Sequence, residues 1–205
     1  MRLPAAGRAG QHAGVDTVLT TERMLLRRFT AADVDSLVEL DRDPAVMRYL
    51  TNGKPTPFEV VRDEMLPALL AEYERTAGYG RLAAVHRTTG EFLGWFGLSQ
   101  RGAATDEAEV GYRLRQAWWG QGYATEGCRA LIDAAFADLR LRRVYAETMA
   151  VNRASRRVME KSGMRHVRTF HLHFDDPVPG TEHGEVEYEL RRADWLSRRV
   201  AQARS

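Results

Sequence analysis

The sequence contains a single cysteine, Cys128, so no disulfide can form within the chain. This composition suits a reducing compartment, and we expect a cytoplasmic protein. No apolar run approaches the roughly 20 residues that a membrane-spanning helix needs, so no membrane partner is expected. The chain also lacks a large excess of charge of either sign, because 30 Lys and Arg residues and 28 Asp and Glu residues leave a formal net charge of +2. This balance gives no argument for nucleic-acid binding.

The 205 residues, 44% of them hydrophobic, suit one domain with a substantial core. Residues 1–16 carry no apolar segment of the signal-peptide kind and are predicted to be a disordered lead-in. We expect residues 17–196 to form the single domain. Residues 197–205 are predicted to be a polar, frayed tail.

The most informative stretch runs from Gly111 to Ala135. It starts as an apolar and aromatic strand that ends near Leu114, and it continues through a loop that carries Gly120 and Gly122. A helix follows, because its apolar residues recur with the spacing of one helical face. Those residues are Ala124, Cys128, Leu131, Ile132, Ala135, Phe136 and Leu139. On that face Cys128 is expected to pack in the core and not to act as a nucleophile.

A strand, a glycine loop and a helix start together favour binding of an anion. The first amide groups of a helix have no intrahelical partner, and glycines let a phosphate approach the backbone closely. The P-loop pattern is absent, because Gly122 is followed by Tyr123 and Ala124 where a Lys and a Ser or Thr would stand. The dinucleotide fingerprint lacks its third glycine. The residues alone therefore indicate a phosphate-bearing ligand, or else a tight connection without a ligand.

The run Trp119 to Ala124, WGQGYA, resembles the Q/R-x-x-G-x-G/A motif of the GNAT superfamily of acetyl-CoA-dependent N-acetyltransferases. Three longer strings resemble the branch that contains bacterial ribosomal-protein N-terminal acetyltransferases. They are LTTERMLLRRFTAADVDSL, EVGYRLRQAWWGQGYATEG and NRASRRVMEKSGM. The resemblance covers roughly Leu19 to Trp195. Trp119 departs from the Gln or Arg of the wider superfamily, at a position that is loose in this branch.

Seven strands and four helices are predicted, in the order β, α, α, β, β, β, α, β, α, β, β. The strands lie near residues 24–29, 81–87, 91–99, 108–115, 142–151, 167–174 and 185–191. Asp43-Pro44 is predicted to end or kink the first helix, and Thr51 to Pro57 to be loop. This order defines an α/β (α+β) fold with a mixed sheet. The resemblance implies the GNAT fold, in which the fourth and fifth strands splay apart and hold the thioester between them.

The resemblance also implies which residues bind acetyl-CoA, the expected cosubstrate. The pyrophosphate would rest on the backbone of Gly120, Gln121, Gly122, Tyr123, Ala124 and Thr125. The pantetheine would pair with the backbone of Tyr112, Arg113 and Leu114, in the manner of strand addition. Asn152 would hold the pantetheine arm, although an Asn at a helix start is also a good N-cap. The backbone N–H of Leu114 is the candidate for stabilising the developing oxyanion.

For proton transfer the sequence offers Ser155 and two glutamates. Ser155 lies one turn after Asn152, and in the resembling branch a serine there lies near the coenzyme thiol. Many relatives place a tyrosine seven residues after the asparagine, where this chain has Met159. Glu109 is the preferred general base, and Glu147 or a water chain is the alternative. A lone glutamate on a strand is more often solvated or ion-paired than catalytic.

The sequence therefore predicts an N-acetyltransferase that moves the acetyl group of acetyl-CoA to a primary amine by direct attack. The resemblance favours a protein N-terminus as acceptor, with a polyamine or aminoglycoside-like amine as the alternative. The acceptor pocket is expected from the 43–58 and 175–184 segments. Acidic residues in these segments would attract a cationic acceptor, and a solvated loop explains them equally well. A non-catalytic acyl-CoA sensor is the alternative from another class. We expect a monomer or homodimer and no metal, since the histidines at 171, 173 and 183 are weak evidence for zinc.

Overall fold

In the computed structural model, residues 16–75, 80–100 and 106–202 are described, and the predicted lead-in at 1–15 lies outside them. Eight strands in this part of the chain form one mixed sheet in the order β1-β2-β3-β4-β5-β6-β8-β7. The strands are β1 Thr17–Thr20, β2 Met24–Arg27, β3 Gly80–His86, β4 Phe92–Ser99, β5 Glu107–Leu114, β6 Arg143–Met149, β7 Arg165–Phe170 and β8 Glu185–Arg191. The predicted α/β fold with a mixed sheet is confirmed.

Six helical bodies pack on the sheet in the described part of the chain, where the sequence predicted about four. Their α-helical segments are α1 Val34–Arg42, α2 Pro44–Thr51, α3 Phe58–Val60, α4 Leu66–Arg75, α5 Tyr123–Ala137, α6 Arg153–Lys161 and α7 Arg192–Gln202. The π-helical turn Val61–Met65 joins α3 to α4 in one continuous body. It lies just before Pro67, which lacks a donor and crowds the preceding turn of a helix.

Strands β5 and β6 are the parallel pair, and they separate along their length. Their register runs through Glu107↔Arg143, Ala108↔Val144 and Glu109↔Tyr145 and then ends. Beyond that point β5 stays paired to β4 as far as Leu114, and β6 stays paired to β8 as far as Met149. Because each strand continues on its outer side only, a cleft opens between them. The predicted splay of these two strands is confirmed.

The closed end of the cleft is clamped by Arg143 of β6. Its guanidinium donates to Glu107 on β5 at 2.9 Å, to Glu189 on β8 at 2.7 Å and to Glu187 on β8. Burial opposes ionisation of Glu189, but the hydrogen bonds from the surrounding arginines lower its pKa to about 2. Glu189 therefore stays charged, and the contacts of Arg143 tie β5, β6 and β8 together where the two parallel strands meet.

Two apolar cores lie on opposite faces of the sheet. The larger core is built around α5 and includes Leu82, Phe96, Val110, Leu131, Ile132, Phe136, Val144 and Tyr188. The smaller core lies under α1 to α4 and includes Phe29, Leu37, Leu40, Val61, Leu66, Leu69, Ala83 and Phe92. Neighbouring strand residues such as Leu82 and Ala83 enter different cores, as alternation along a strand requires. Helices on both faces thus fix the position of the cleft.

Helix α2 corrects the sequence prediction of a helix end followed by loop. Asp43 does end α1, but its side chain accepts a hydrogen bond from Ala45 N at 2.9 Å and so caps a new helix. Pro44 is the first residue of that helix, a position where the missing N–H costs nothing. The predicted loop is consequently shorter and starts at Asn52, which ends α2 in the left-handed conformation.

Helix α7 corrects the prediction of a frayed tail, because it continues through residues 197–202. Two contacts anchor it. Trp195 Nε1 donates to Asp133 Oδ1 at 2.6 Å, and its ring packs on Phe136. Arg198 Nη1 donates to the carbonyl of Gly163 at 2.6 Å. A polar sequence pattern is typical of frayed ends, but tertiary contacts of this kind stabilise a short helix.

Strand β1 was absent from the sequence prediction and accounts for the eighth strand. It pairs antiparallel with β2, with Thr17 opposite Arg27 and Thr20 opposite Leu25. With only four residues, two of them threonines, its pattern was too short to distinguish a strand from a loop.

Candidate active site

The loop between β5 and α5 has the shape expected of an anion cradle. Gly120 and Gly122 take the left-handed φ values of +73° and +89°, and Gly122 is the N-cap of α5. A Cβ placed on Gly120 would meet no atom within 4 Å, so its surface is open. The first hydrogen bond of α5 runs from Glu126 N to Gly122 O at 3.0 Å. The amides of residues 123–125 therefore precede the helical ladder and face the cradle.

Arg23 of the β1–β2 turn holds this loop in place. Its Nη1 donates to the carbonyl of Gln121 at 3.0 Å, and its Nε donates to Glu126 Oε2 at 2.7 Å. Its guanidinium also lies 4.1 Å from the ring centre of Tyr123, which is buried. Burial opposes ionisation of Glu126, but hydrogen bonds from Thr21 and Arg23 outweigh it and keep the pKa below its usual value. The cradle is thus preorganised by a residue about 100 positions away.

The edge of β5 that faces the cleft presents backbone amides. Arg115 N donates to Leu93 O of the β4 side at 2.9 Å. Because N–H groups alternate between the two edges of a strand, those of Leu114 and Tyr112 point to the open edge. Trp119 Nε1 donates to the carbonyl of Leu114 at 2.8 Å and so fixes the cradle against the end of this strand.

Arg113 stands between Tyr112 and Leu114, and by the same alternation its backbone N–H points to β4. Its side chain is engaged elsewhere. The guanidinium is paired with Asp41 of α1, which is 1% exposed, and lies 5.5 Å from the ring centre of Trp95. The pair locks α1 onto the face of β5 opposite to Tyr112. This buried pair orients the strand, and a change at Asp41 would leave a charged arginine beside the cleft.

Asn152 and Ser155 meet Tyr112 at the end of the cleft nearest α6. Asn152 caps α6, because its Oδ1 accepts from Ser155 N at 3.2 Å, and its Nδ2 donates to Thr148 Oγ1 at 3.1 Å. The hydroxyl of Tyr112 donates to Ser155 Oγ at 3.3 Å. Burial raises the pKa of Tyr112, so this phenol stays protonated. Met159 is buried in the large core.

The two candidate bases lie on the opposite face of the sheet from Tyr112. Glu109 is the last β5 residue paired with β6, so it stands where the cleft begins. Glu147 lies two residues beyond its partner Tyr145 on β6. Both are half-buried. Glu147 has a carboxyl neighbour on β8, Glu185, whose pKa is raised first by burial and then by the charge of Glu147.

Three further expectations concern a metal site, the role of Cys128 and a membrane-spanning helix. Among residues 16–75, 80–100 and 106–202, no group of three or more His, Cys, Asp or Glu side chains is placed to hold a metal ion. Cys128 is buried in the large core, and burial raises the pKa of its thiol. Within the same ranges, every helix is too short or too polar to span a bilayer.

Sequence reasoning missed three residues that shape this site: Arg23, Trp119 and the hydroxyl of Tyr112. Arg23 directly precedes the first predicted strand, and no local sequence pattern indicates that it contacts Glu126. Trp119 stood out in the sequence only because it departs from the family motif, and its hydrogen bond to Leu114 was not predicted. The Tyr112 contact spans 43 positions and depends on the placement of α6. Side-chain contacts across such separations follow from the fold and not from local pattern.

A glycine cradle at a helix start, beside an open strand edge within a parted sheet, defines a transferase that uses an acyl-coenzyme A. Unpaired amides of this kind suit phosphate groups, and an unpaired strand edge suits an extended pantetheine. The family model described as Acetyltransferase (GNAT) domain matches residues 23–165. The chain belongs to the GNAT acetyltransferase family and is an acetyl-CoA-dependent N-acetyltransferase.

One relative in sequence agrees with this assignment, and two solved structures share the fold. An Aspergillus fumigatus protein named FsC-acetyl coenzyme A-N(2)-transacetylase is 38% identical over 169 residues, which are 78% of this chain and 69% of that protein. A ribosomal L7/L12 α-N-protein acetyltransferase, RimL, solved with coenzyme A, superimposes with a TM-score of 0.70 at 17% identity, covering 86% of this chain and 98% of that one. A Vibrio cholerae spermidine N-acetyltransferase, solved with CoA and spermine, gives a TM-score of 0.69 at 16% identity over 84% and 98%. Both solved structures resemble this chain in fold.

Proposed function

We propose that this enzyme acetylates the α-amine of a protein N-terminus by direct attack of the amine on the thioester of acetyl-CoA. The parting of β5 and β6 after Glu109 carries this proposal. The thioester would lie between the parted strands, where the amine approaches from the α1–α2 side. An α-amine has a pKa near 8 and is partly neutral at pH 7, whereas a lysine amine near 10.4 is not. An N-terminal acceptor therefore needs only a weak base.

Each reacting group has a candidate partner at the cleft. As the new N–C bond forms, the N–H of Leu114 would stabilise the oxyanion at the carbonyl oxygen. As the C–S bond breaks, the Ser155 hydroxyl would donate a hydrogen bond to the leaving thiolate. A thiolate of pKa about 8.5 needs little further help to leave. The proton released by the amine would pass to Glu109, or through water to Glu147.

A small-molecule amine is the second candidate acceptor, and one observation favours it. The 38% identical relative from Aspergillus fumigatus is named as a transacetylase of a single compound, at its N(2) atom. The site itself carries either acceptor, because the cradle and the strand edge recognise the coenzyme alone. The acceptor is then selected by the segments that surround the cleft.

The function is tested by thiol release from acetyl-CoA with a panel of N-terminal peptides, polyamines and aminoglycosides. We expect turnover with at least one class and a higher kcat/KM for peptides. A higher kcat/KM for polyamines or aminoglycosides would replace the protein N-terminus as acceptor. Tight binding of acetyl-CoA without turnover of any amine would instead indicate a sensor.

Replacing Glu109 with glutamine is expected to lower kcat about tenfold to a hundredfold. This is at the low end of general acid–base catalysis or below it, because an α-amine needs only a weak base. The pH profile of kcat/KM should also shift, because without a base the rate depends on the fraction of acceptor that is already a free amine, whose pKa is near 8. Steady-state rates measured from pH 6 to 9 check this. Glu147→Gln is the comparator on β6, and a shift of the profile in that variant alone would make Glu147 the base. An unchanged profile in Glu109→Gln removes Glu109 from this role.

Replacing Ser155 with alanine is expected to lower kcat about tenfold while the KM for acetyl-CoA changes little, since the lost hydrogen bond forms mainly to the leaving thiolate. The fold should be retained, because Asn152 caps α6 through the backbone N–H of residue 155 and not through its hydroxyl. Ser197→Ala in α7 is the matched control, a helical serine whose hydroxyl donates to Ala193 O. Equal kcat values for the two variants would exclude Ser155 from the reaction.

A further inference from the structure

A cavity of about 820 Å³ lies beyond the carboxyl end of β6, outside the coenzyme cradle. Its lining residues include three arginines and two histidines and no Asp or Glu: Arg48, Arg153, Arg156, His166 and His183. His183 lies 3.6 Å from the Glu182 carboxylate, so the arginines are the main basic groups of this surface. A concave surface lined by arginines favours an anionic ligand.

The arginines of this cavity are free to bind such a ligand. Arg156 is half-buried and fixed, because its Nη1 donates to Ala150 O at 3.0 Å and its Nε donates to the Tyr188 hydroxyl at 3.3 Å. Arg48 lies 5.1 Å from the ring centre of Tyr49, and Arg153 is exposed in the first turn of α6. Within the described ranges, no carboxylate oxygen lies within 4.0 Å of these three guanidinium groups. Guanidinium groups of this kind bind carboxylates and phosphates in a bidentate manner.

The cavity adjoins the reaction cleft. Ala150 and Val151 line it, and the next residue, Asn152, caps α6 beside Ser155. On the far side, a Cβ on Gly180 would come within 2.6 Å of Val151, so the 180–183 turn packs directly on this junction. A molecule seated in the cavity thus reaches the cleft past a single turn of backbone. The two segments expected to form the acceptor pocket contact each other, since Lys54 Nζ lies 3.3 Å from Asp176 Oδ2.

Acidic residues of those two segments have local roles, which weakens the case for a cationic acceptor. Asp43 caps α2 through Ala45 N. Asp176 pairs with Lys54. Glu182 accepts from Gly180 N at 3.0 Å. These carboxylates are therefore explained by loop structure, whereas the arginines of the cavity have no carboxylate partner among the described residues.

We infer that this cavity binds a carboxylate or phosphate group of the acyl acceptor, so that the preferred acceptors are amines that also carry an acidic group. The inference rests on the proposed function, because it assigns a binding site to the part of the acceptor molecule that lies outside the cleft. Arg156 supplies the fixed guanidinium. Arg48 and Arg153 close on the anion from α2 and α6.

The test compares acceptors of matched size with and without acidic groups, and kcat/KM is expressed per free amine at the pH of the assay. The peptide arm uses Ala-Glu-Asp-Ala amide against Ala-Gln-Asn-Ala amide, and the small-molecule arm uses β-alanine against β-alaninamide. In at least one arm, kcat/KM should be about tenfold or more higher for the acidic member, as expected for a charge-assisted hydrogen bond. The double variant Arg48→Gln/Arg153→Gln should lose this preference. It should retain its kcat/KM for the neutral acceptor and its Kd for acetyl-CoA.

Arg157→Gln is the matched control, because Arg157 is exposed on α6 and does not line the cavity. It should keep the preference. Equal rates for acidic and neutral acceptors in both arms would overturn the inference, as would a preference that survives the double variant. A double variant with weakened acetyl-CoA binding would assign the cavity to the coenzyme instead.

Calorimetry on the enzyme–CoA complex separates this inference from the proposed function. Binding of the acidic peptide or of β-alanine that depends on Arg48 and Arg153, without any turnover, would keep the anion site and reject the transferase proposal for these acceptors. Turnover of the amines without charge preference would do the reverse. Absence of both turnover and binding would reject the anion site for these acceptors.

Discussion

Replacing Gly122 with valine is expected to raise the Kd for acetyl-CoA by about 100-fold, the effect of losing two hydrogen bonds to a charged group. Gly122 has a φ of +89° at the start of α5, a conformation that costs a branched residue about 1–2 kcal/mol or more. A Cβ there would also lie 3.3 Å from Arg23 Nη2, the group that holds the loop. Both effects would displace the amides of residues 123–125, on which the phosphates are proposed to rest. Calorimetric titration with acetyl-CoA measures the change.

Gly90→Val is the control for the strain itself. Gly90 has a similar φ of +72° in the turn between β3 and β4, where its N–H donates to His86 O at 2.8 Å. Both variants should lower the melting temperature, but the Kd for acetyl-CoA should change in Gly122→Val alone. A Kd within about threefold of wild type in Gly122→Val, well under 1 kcal/mol, would mean that the phosphates bind elsewhere.

The shape of the loop between β5 and α5 could be predicted from the sequence because its determinants are local. Gly120 and Gly122 stand directly between a period-two and a period-3.6 pattern, and both adopt the positive φ values for which glycine is favoured. The parting of β5 and β6 was expected from resemblance alone. Its structural basis lies in Arg143, which gathers Glu107, Glu187 and Glu189 at one end of the pair only.

The rest of the site could not be predicted because it depends on contacts between distant segments. Arg23 meets Glu126 across 103 positions. The basic cavity draws its residues from α2, α6, β7 and the 179–183 turn, and no two of these segments show a shared pattern in the sequence. Helix α2 was not predicted, because the pair Asp43-Pro44 is equally typical of a helix end and of a helix start.

Replacing Gly127 with alanine is expected to destabilise the protein by about 2–3 kcal/mol, the usual cost of overpacking a core. Helix propensity alone predicts the opposite sign, since alanine is favoured over glycine by about 1 kcal/mol inside a helix. Gly127 lies in α5 against β4, and an added Cβ would come within 2.3 Å of Phe96 Cζ. Phe96 is fully buried and cannot swing into solvent. Unfolding in urea, monitored by circular dichroism, gives the free energy.

The same substitution should also reach the active site, because the ring of Phe96 stacks on Tyr112 at 5.9 Å and Tyr112 donates to Ser155. Phe96→Leu tests the mechanism. If the clash causes the loss, Gly127→Ala combined with Phe96→Leu should be no less stable than Phe96→Leu alone, so the two changes are strongly non-additive. Gly111→Ala is the control on β5, where a Cβ would lie 3.8 Å from Trp95, an ordinary contact, and it should cost under about 1 kcal/mol. A Gly127→Ala variant as stable as the wild type would show that α5 shifts away from β4 at little cost, and the cradle at its N-terminus would then be less rigid than its contacts with Arg23 imply.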